Sequence, residues 1–376
     1  MSLAARVGIA LALLVGAALF VTALLPEGAP TEPPPVQGEA AAPLETGPPA
    51  KPGVLDSDES CARCHTEIYE EWMQDRHRQA WVGELYTELS LNHTDPNCFA
   101  CHAPRPILET GLGSPAETRA NFRESGITCL TCHKRGENVV GPIADPADTP
   151  ECSADCGPVH DPSYPSGARQ EATSRFCGVC HNLHGTCDEF AGSAYAREGK
   201  TCLSCHMAEV IGPIANGGKP RPRRVHRFPG GHSPETLKEA MSIEARREGG
   251  KVIARVVNRG AGHKIPTDAR HRAIHLMVTF FDAFDQPVAV ETERGLQVEV
   301  EMDLIRLFYR LEQREPTQID PVGTLGKNPW RESSVAIPPL AKGGYAKLSL
   351  YYLLRTGWPM HKGTLVQELK VPIDGD

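Results

Sequence analysis

The chain has 376 residues, among them 13 Cys, 15 His, 35 Gly and 33 Pro, with a formal net charge of −8. The acidic balance argues against a nucleic-acid binder, which shows a basic excess, and an odd number of cysteines cannot all pair within one chain. Aromatic residues make up only 6%, so something other than large side chains is expected to fill part of the interior.

Residues 8–25 form an uncharged apolar run of 18 residues behind Arg6. A signal-peptide core is usually about 7–15 residues, and a membrane span needs about 20. Two readings stay open: an uncleaved transmembrane anchor, or a signal peptide cut near Val21-Thr22-Ala23. Either exports the rest of the chain to the periplasm or outer surface of a bacterium, a setting that suits oxidised or thioether-linked cysteine. Residues 26–54 hold nine Pro, four Gly and no aromatic. Such a segment buries no core and reads as a disordered, partly polyproline linker with a reach of roughly 90 Å. It is either a tether for an anchored carrier or a spacer left after cleavage.

From residue 55 to about 247 the pattern C-x-x-C-H recurs five times: Cys61–His65, Cys98–His102, Cys129–His133, Cys177–His181 and Cys202–His206. Composition alone predicts roughly 0.02 such matches in the chain. The pattern is the attachment signature of c-type haem. Thiols three residues apart reach the two vinyl groups of one porphyrin edge, and the next residue offers a neutral imidazole to the iron. Zinc knuckles pair two C-x-x-C motifs without a histidine after each, and a thioredoxin-type dithiol is single and set in a βαβ unit. Five covalently bound haem c groups are therefore expected. They would be held through Cys61, Cys64, Cys98, Cys101, Cys129, Cys132, Cys177, Cys180, Cys202 and Cys205, with His65, His102, His133, His181 and His206 as proximal ligands. One haem per about 39 residues implies a mainly α and irregular domain packed around haems close enough to exchange electrons.

Within this region, Met73, His77, Trp81, Leu85 and Leu89 recur at i+4 in a stretch without Pro, which predicts one helix over 66–89 with His77 on its apolar stripe. Ten histidines lie outside the motifs, enough for a second axial ligand on every iron. His77, His184, His226, His232 and His263 are the candidate distal ligands, with His93 and His160 behind them. His271, His275 and His361 read as surface or structural residues, and Met207 as packing. Cys152 and Cys156 form a small disulfide, or one of them pairs with Cys187. The basic run Lys219-Pro220-Arg221-Pro222-Arg223-Arg224 with Arg227 is a solvated loop, a set of propionate partners, or a docking patch for an acidic partner.

Several longer runs carry a resemblance. They are Gly126-Ile127-Thr128-Cys129 through His133, Cys177-Gly178-Val179-Cys180-His181-Asn182, Ser193-Ala194-Tyr195, Gly199-Lys200-Thr201-Cys202 through Met207, His226-Arg227-Phe228-Pro229-Gly230-Gly231-His232, and Gly260-Ala261-Gly262-His263-Lys264-Ile265-Pro266-Thr267. From about Ser57 to the C-terminus the chain resembles the multihaem c-type cytochromes of the cytochrome c-554 kind. The resemblance implies bis-His haems in stacked pairs, electron transfer in respiratory or nitrogen-related chains, and, in some members, one five-coordinate haem. It supports His77, His226, His232 and His263 as distal ligands. The Cys152–Cys156 loop departs from it, and the absence of a C-x-x-C-K variant speaks against the ammonia-forming nitrite reductases.

Residues 248–376 carry no attachment motif. Lys251–Val257, Ile274–Phe281, Val288–Val290, Leu296–Val300, Ser334–Ile337 and Ala346–Leu353 read as short strands bounded by turn residues, which suggests an all-β, sandwich-like domain. Docking, anchoring of His263 and shielding of a haem face all stay open as its role. The expected whole is an exported pentahaem carrier passing electrons between redox protein partners, membrane-bound only if residues 8–25 are uncleaved, with no nucleic-acid partner. The rival is a haem oxidoreductase acting on a nitrogen or sulfur oxyanion at a five-coordinate iron.

Overall fold

Helical segments, one at each C-x-x-C-H motif, set the plan of the first half in this computed structural model, which describes residues 57–112, 114–136, 138–139, 170–306 and 317–374. In chain order the helices are α1 (Asp58–Ala62), α2 (Thr66–Met73), α3 (Glu84–Leu89), α4 (Phe99–His102), α5 (Ile107–Thr110), α6 (Cys129–His133), α7 (Gln170–His181), α8 (Thr186–Ala191), α9 (Ala194–Arg197), α10 (Cys202–His206) and α11 (Pro234–Ala240). Most are too short to persist alone, and local capping closes them. Ser57 Oγ accepts from Ser60 N–H at the start of α1. Thr128 and Thr131 exchange backbone and hydroxyl hydrogen bonds at α6, and Thr201 does the same with Ser204 at α10. The residue just before the second cysteine thus caps its own turn. Cysteines at i and i+3 and histidine at i+4 share one face of such a turn.

The single helix expected over 66–89 is two helices, α2 and α3, joined by turns. Asp75 Oδ1 accepts from His77 N–H at 2.8 Å, an alternative to helical pairing that aspartate commonly offers. The His77 carbonyl accepts from Ile127 N–H at 2.8 Å, far away in sequence. His77 therefore sits on a turn, and Met73 is exposed.

Two small ladders follow, β1 (Lys134–Arg135) with β2 (Asn138–Val139) and β3 (Glu209–Gly212) with β4 (Arg221–Arg224). The C-terminal part is β-rich. One sheet pairs β11 (Glu299–Arg306), β7 (Ala273–Phe281), β13 (Tyr345–Leu353) and β14 (Thr364–Pro372) in that order, with β8 (Pro287–Val288) beside β7. A second sheet runs β12 (Trp330–Ala336), β6 (Lys251–Asn258), β5 (Met241–Glu248). A hairpin of β9 (Val290–Thr292) and β10 (Gly295–Gln297) lies outside both. All pairings are antiparallel. Alternation decides the faces: Val252, Ala254 and Val256 of one sheet share a buried cluster with Ile274, Leu276, Val278, Phe280, Leu348 and Leu350 of the other.

Strands β5 and β14 extend the expected set. α11 runs directly into β5 at Met241 without a turn residue, so the sheet starts before residue 248. In β14 the register slips opposite Leu350/Tyr351, and this bulge breaks the period-2 pattern by which a strand is recognised. The described residues form one compact unit. Among the described residues no helix is long and apolar enough to cross a membrane. The apolar run 8–25, the Pro-rich segment 26–54, Cys152, Cys156 and His160 lie outside the described residues.

Phe280 is fully buried between the sheets. Phe280→Ala is expected to lower stability by about 3–5 kcal/mol in chemical denaturation followed by circular dichroism, whereas Leu296→Ala, at an exposed site, should stay within about 0.5 kcal/mol.

Candidate functional site

The five motif turns meet. The Cys61 thiol hydrogen-bonds that of Cys129, Cys101 that of Cys180, and Cys177 that of Cys202. The first motif thus touches the third, the second the fourth, and the fourth the fifth. Asp58 Oδ1, ahead of the first motif, accepts from Cys129 N–H at 2.8 Å and closes the first junction. The hydrogen bond from Cys180 pulls the Cys101 thiol down to about 7, and burial pushes Cys132 up to about 12. Cys187 Sγ packs at Gly178 inside the fourth motif, and burial pushes it up to about 11.

Four motif histidines, His65, His102, His181 and His206, are oriented through Nδ1. His65 Nδ1 lies 2.7 Å from Ile214 O, His102 Nδ1 2.6 Å from Ala80 O, and His206 Nδ1 2.6 Å from Pro229 O. A carbonyl only accepts, so Nδ1 carries the proton and Nε2 the lone pair. His181 Nδ1 instead faces the Asp268 carboxylate at 3.4 Å. Elements distant in sequence supply these partners. Ile214 belongs to the β3–β4 turn, which crosses the first motif and is fastened there by Asn216: its N–H donates to Cys64 O at 2.7 Å and its Nδ2 to Arg63 O at 3.0 Å.

Three of the expected distal histidines face motif histidines. His77 opposes His181 with ring centroids 6.1 Å apart, His226 opposes His133 at 6.4 Å, and His263 opposes His206 at 6.3 Å. A first-row metal–imidazole bond is about 2.0–2.1 Å and the ring centre lies about 1.1 Å beyond the nitrogen, so two imidazoles sharing one metal have centroids roughly 6.2 Å apart. The Nδ1 atoms of these three rings are also engaged, at Asp75 Oδ1 (3.0 Å), Arg224 O (3.0 Å) and Lys264 O (2.9 Å). Burial, then the neighbouring motif histidine, pushes His226 down to about 4; burial, with His206 among the causes, does the same to His263. Both imidazoles are thereby held neutral, the form that binds metal. The donor set fits an iron with one imidazole on each face. Among the described residues, no group of three or more His, Cys, Asp or Glu side chains is arranged to hold a metal ion without a porphyrin.

Glycine makes two of these placements feasible. Gly126 has φ +63, and a Cβ there would stand 2.4 Å from His77 O. A Cβ on Gly262 would stand 2.6 Å from the Phe190 ring, which lets the His263 loop lie against α8.

The other candidates are placed differently. Burial pushes His232 down to about 4, with the Arg76 charge adding to the effect and His77 close by. His184 lies near Asp268 and Arg270, with burial lowering its pKa. His93 stacks on Trp81 at 4.8 Å and its Nε2 bonds Trp81 O at 2.9 Å. His275, on β7, meets Glu301 through Nδ1 at 2.5 Å.

Known proteins can now be set beside this geometry. Residues 60–134, spanning the first three motifs, match the family model described as cytochrome c554 and c-prime. The solved structure of a penta-heme cytochrome c552 from Thermochromatium tepidum aligns over 86% of this chain and 100% of that one, with 21% identity and a TM-score of 0.56. The chain resembles the multihaem c-type cytochromes. That likeness supports covalently bound haem c and a role in electron transfer. A second structure, of CC2D1B, aligns over 36% of this chain and 50% of that one at 13% identity and a TM-score of 0.16, too low to carry an argument. No curated protein matches the chain.

In this cytochrome-like setting the basic run is more than a solvated loop. Its Arg221–Arg224 part forms β4 and fastens the hairpin to α2, the helix that follows the first motif. Arg223, with a side chain 7% exposed, donates to Glu71 Oε1 at 2.9 Å and Glu71 Oε2 at 3.1 Å, and also to Glu67. Glu71 Oε2 accepts His226 N–H at 2.8 Å as well. Arg224 donates to the carbonyls of Leu203 and Met207. Sequence reasoning missed Asp75, Asp268, Glu71 and the carbonyl partners; only the Asp75-x-His77 spacing carried a signal.

Glu71→Ala leaves the Arg223 guanidinium largely buried without its main carboxylate. The expected stability loss is about 3–5 kcal/mol, read by guanidinium denaturation, with partial recovery in the Glu71→Ala/Arg223→Met double variant.

Proposed function

We propose that the chain is an exported pentahaem c-type cytochrome that passes electrons between redox protein partners. One observation carries the reading. The five C-x-x-C-H turns adjoin in two groups, the first with the third and the second with the fourth and fifth, and three of their histidines face a second imidazole across 6.1–6.4 Å, a span that fits one iron. In this reading the ten motif cysteines bind five haems, a count in keeping with the penta-heme cytochrome c552. His65, His102, His133, His181 and His206 are proximal ligands. His77, His226 and His263 serve the fourth, third and fifth centres, and His184 and His232 are the candidates for the other two.

Haem iron, cycling between ferric and ferrous states, supplies the redox chemistry when bound. The chain's own residues do the rest. Nδ1 contacts fix each imidazole plane, buried surroundings keep the rings neutral, and the meeting of the turns brings neighbouring centres within hopping distance. Porphyrin then substitutes for the scarce aromatic core of residues 55–247, and the sandwich-like part beyond it contributes His263. Residues 8–25 direct export, as anchor or signal peptide, and residues 26–54 act as the linker.

Intact mass of the mature protein is expected to include five haem groups, and the oxidised protein to show low-spin haem only. A high-spin band that shifts on addition of nitrite or cyanide would instead favour an oxyanion-reducing enzyme. His263→Ala should convert one low-spin haem of the set to high spin in the electron paramagnetic resonance spectrum, with the mass otherwise unchanged.

A further inference from the structure

The haem sites proposed above differ in what stands behind their imidazoles. In the pairs His133/His226 and His206/His263, the Nδ1 partners seen at His226, His206 and His263 are the carbonyls of Arg224, Pro229 and Lys264. In the pair His181/His77 both Nδ1 atoms face carboxylates, Asp268 at 3.4 Å and Asp75 at 3.0 Å. We propose that Asp75 and Asp268 make the haem held at Cys177 and Cys180 the lowest-potential centre of the chain. The proposal rests on the pentahaem reading.

The physical reason is charge. A carboxylate accepting from Nδ1–H gives the ring imidazolate character and makes Nε2 a stronger donor. A stronger axial donor favours ferric over ferrous iron, and so does negative charge near the site. A neutral carbonyl does much less.

Both carboxylates are built in. The Asp75 side chain is 0% exposed, and Oδ1 also accepts His77 N–H at 2.8 Å. Its Oδ2 is buried with no hydrogen-bond partner, a costly arrangement for an anion that makes sense if the charge acts on the adjacent site. Asp268 has φ 69, a left-handed backbone that few residues other than glycine adopt. The loop holding it there is docked on α8: Thr267 and Thr186 hydroxyls meet at 2.7 Å, and Lys264 donates N–H to Glu189 at 3.0 Å with its ammonium at 3.3 Å. Arg272 and His184 also lie near Asp268 and moderate its charge, and Arg270 lies near His184. Arg76 and His232 lie beside Asp75. Asp75, closer and fully buried, is expected to have the larger effect.

The position in the network gives the asymmetry a use. The fourth motif is the one whose thiols reach both the second and the fifth. A low-potential centre at that junction discharges to neighbours on either side: its iron goes from ferrous to ferric as a neighbouring ferric iron takes the electron.

The test is a redox titration of the full holoprotein with the low-spin signals resolved by electron paramagnetic resonance. Asp75→Asn and Asp268→Asn are expected to raise one midpoint out of five. For Asp75 the ferrous-to-ferric ratio at fixed potential should rise about tenfold, equivalent to about 59 mV for one electron. Asp268→Asn should give a smaller shift, and the double variant a larger one. The conservative Asp268→Glu should keep the low value, which a merely structural role would not require. The proposal is overturned if no midpoint moves, if all five move together, or if the shift is downward. Haem mass measured on the same samples separates the two claims. Fewer than five haems on the unsubstituted protein sinks the pentahaem reading, whereas five haems with unmoved midpoints sinks only this one. If Asp75→Asn does not accumulate as holoprotein, Asp268→Asn, at a partly exposed loop, decides alone.

Discussion

The hydrogen bond at imidazole Nδ1 is the contact on which the site depends. An imidazole can flip and rotate about its χ2 bond, and only the nitrogen that keeps its lone pair binds metal. Among the motif histidines and the rings that face them, seven described residues have Nδ1 engaged, five at carbonyls and two at carboxylates. Each bond fixes tautomer and ring plane together. The opposed pairs keep a separation suited to a shared metal.

That requirement explains the shape of the connections. A motif turn of four or five residues has no room for the partner of its own histidine. The partner comes instead from chain elsewhere: the turn after α2, the β3–β4 hairpin, the segment around Pro229. Such straps need anchors of their own, and the Arg223–Glu71 pair and the Asn216 contacts are those anchors. The β-rich region serves the same end. Its two sheets make an ordinary apolar core, and the loop between β6 and β7 leaves that core to lie against α8.

The five C-x-x-C-H turns were legible in the sequence because the motif declares itself within five residues. The strands with clean alternation, such as Lys251–Asn258, were legible for a similar reason: one face is buried and the other is not. His77, His226 and His263 could be named as candidates, but the ring each would face depends on tertiary contacts that no local pattern encodes. The helix over 66–89 failed because Asp75 and Ile127 divert the backbone groups of His77, and spacing cannot reveal a competitor some fifty positions away. Strand β14 was hidden by its bulge. Asp268 gave no signal, since an aspartate in a loop is commonplace until its neighbour in space is known.

The loop between β6 and β7 also imposes an order in time. His263 and Asp268 stand against His206 and His181, yet a ribosome delivers them only after all five C-x-x-C-H segments have been made. Until the C-terminal third of the chain exists, the fourth and fifth turns lack the groups that close and polarise them. In the proposed pentahaem reading, completion of these two centres is thereby tied to completion of the polypeptide.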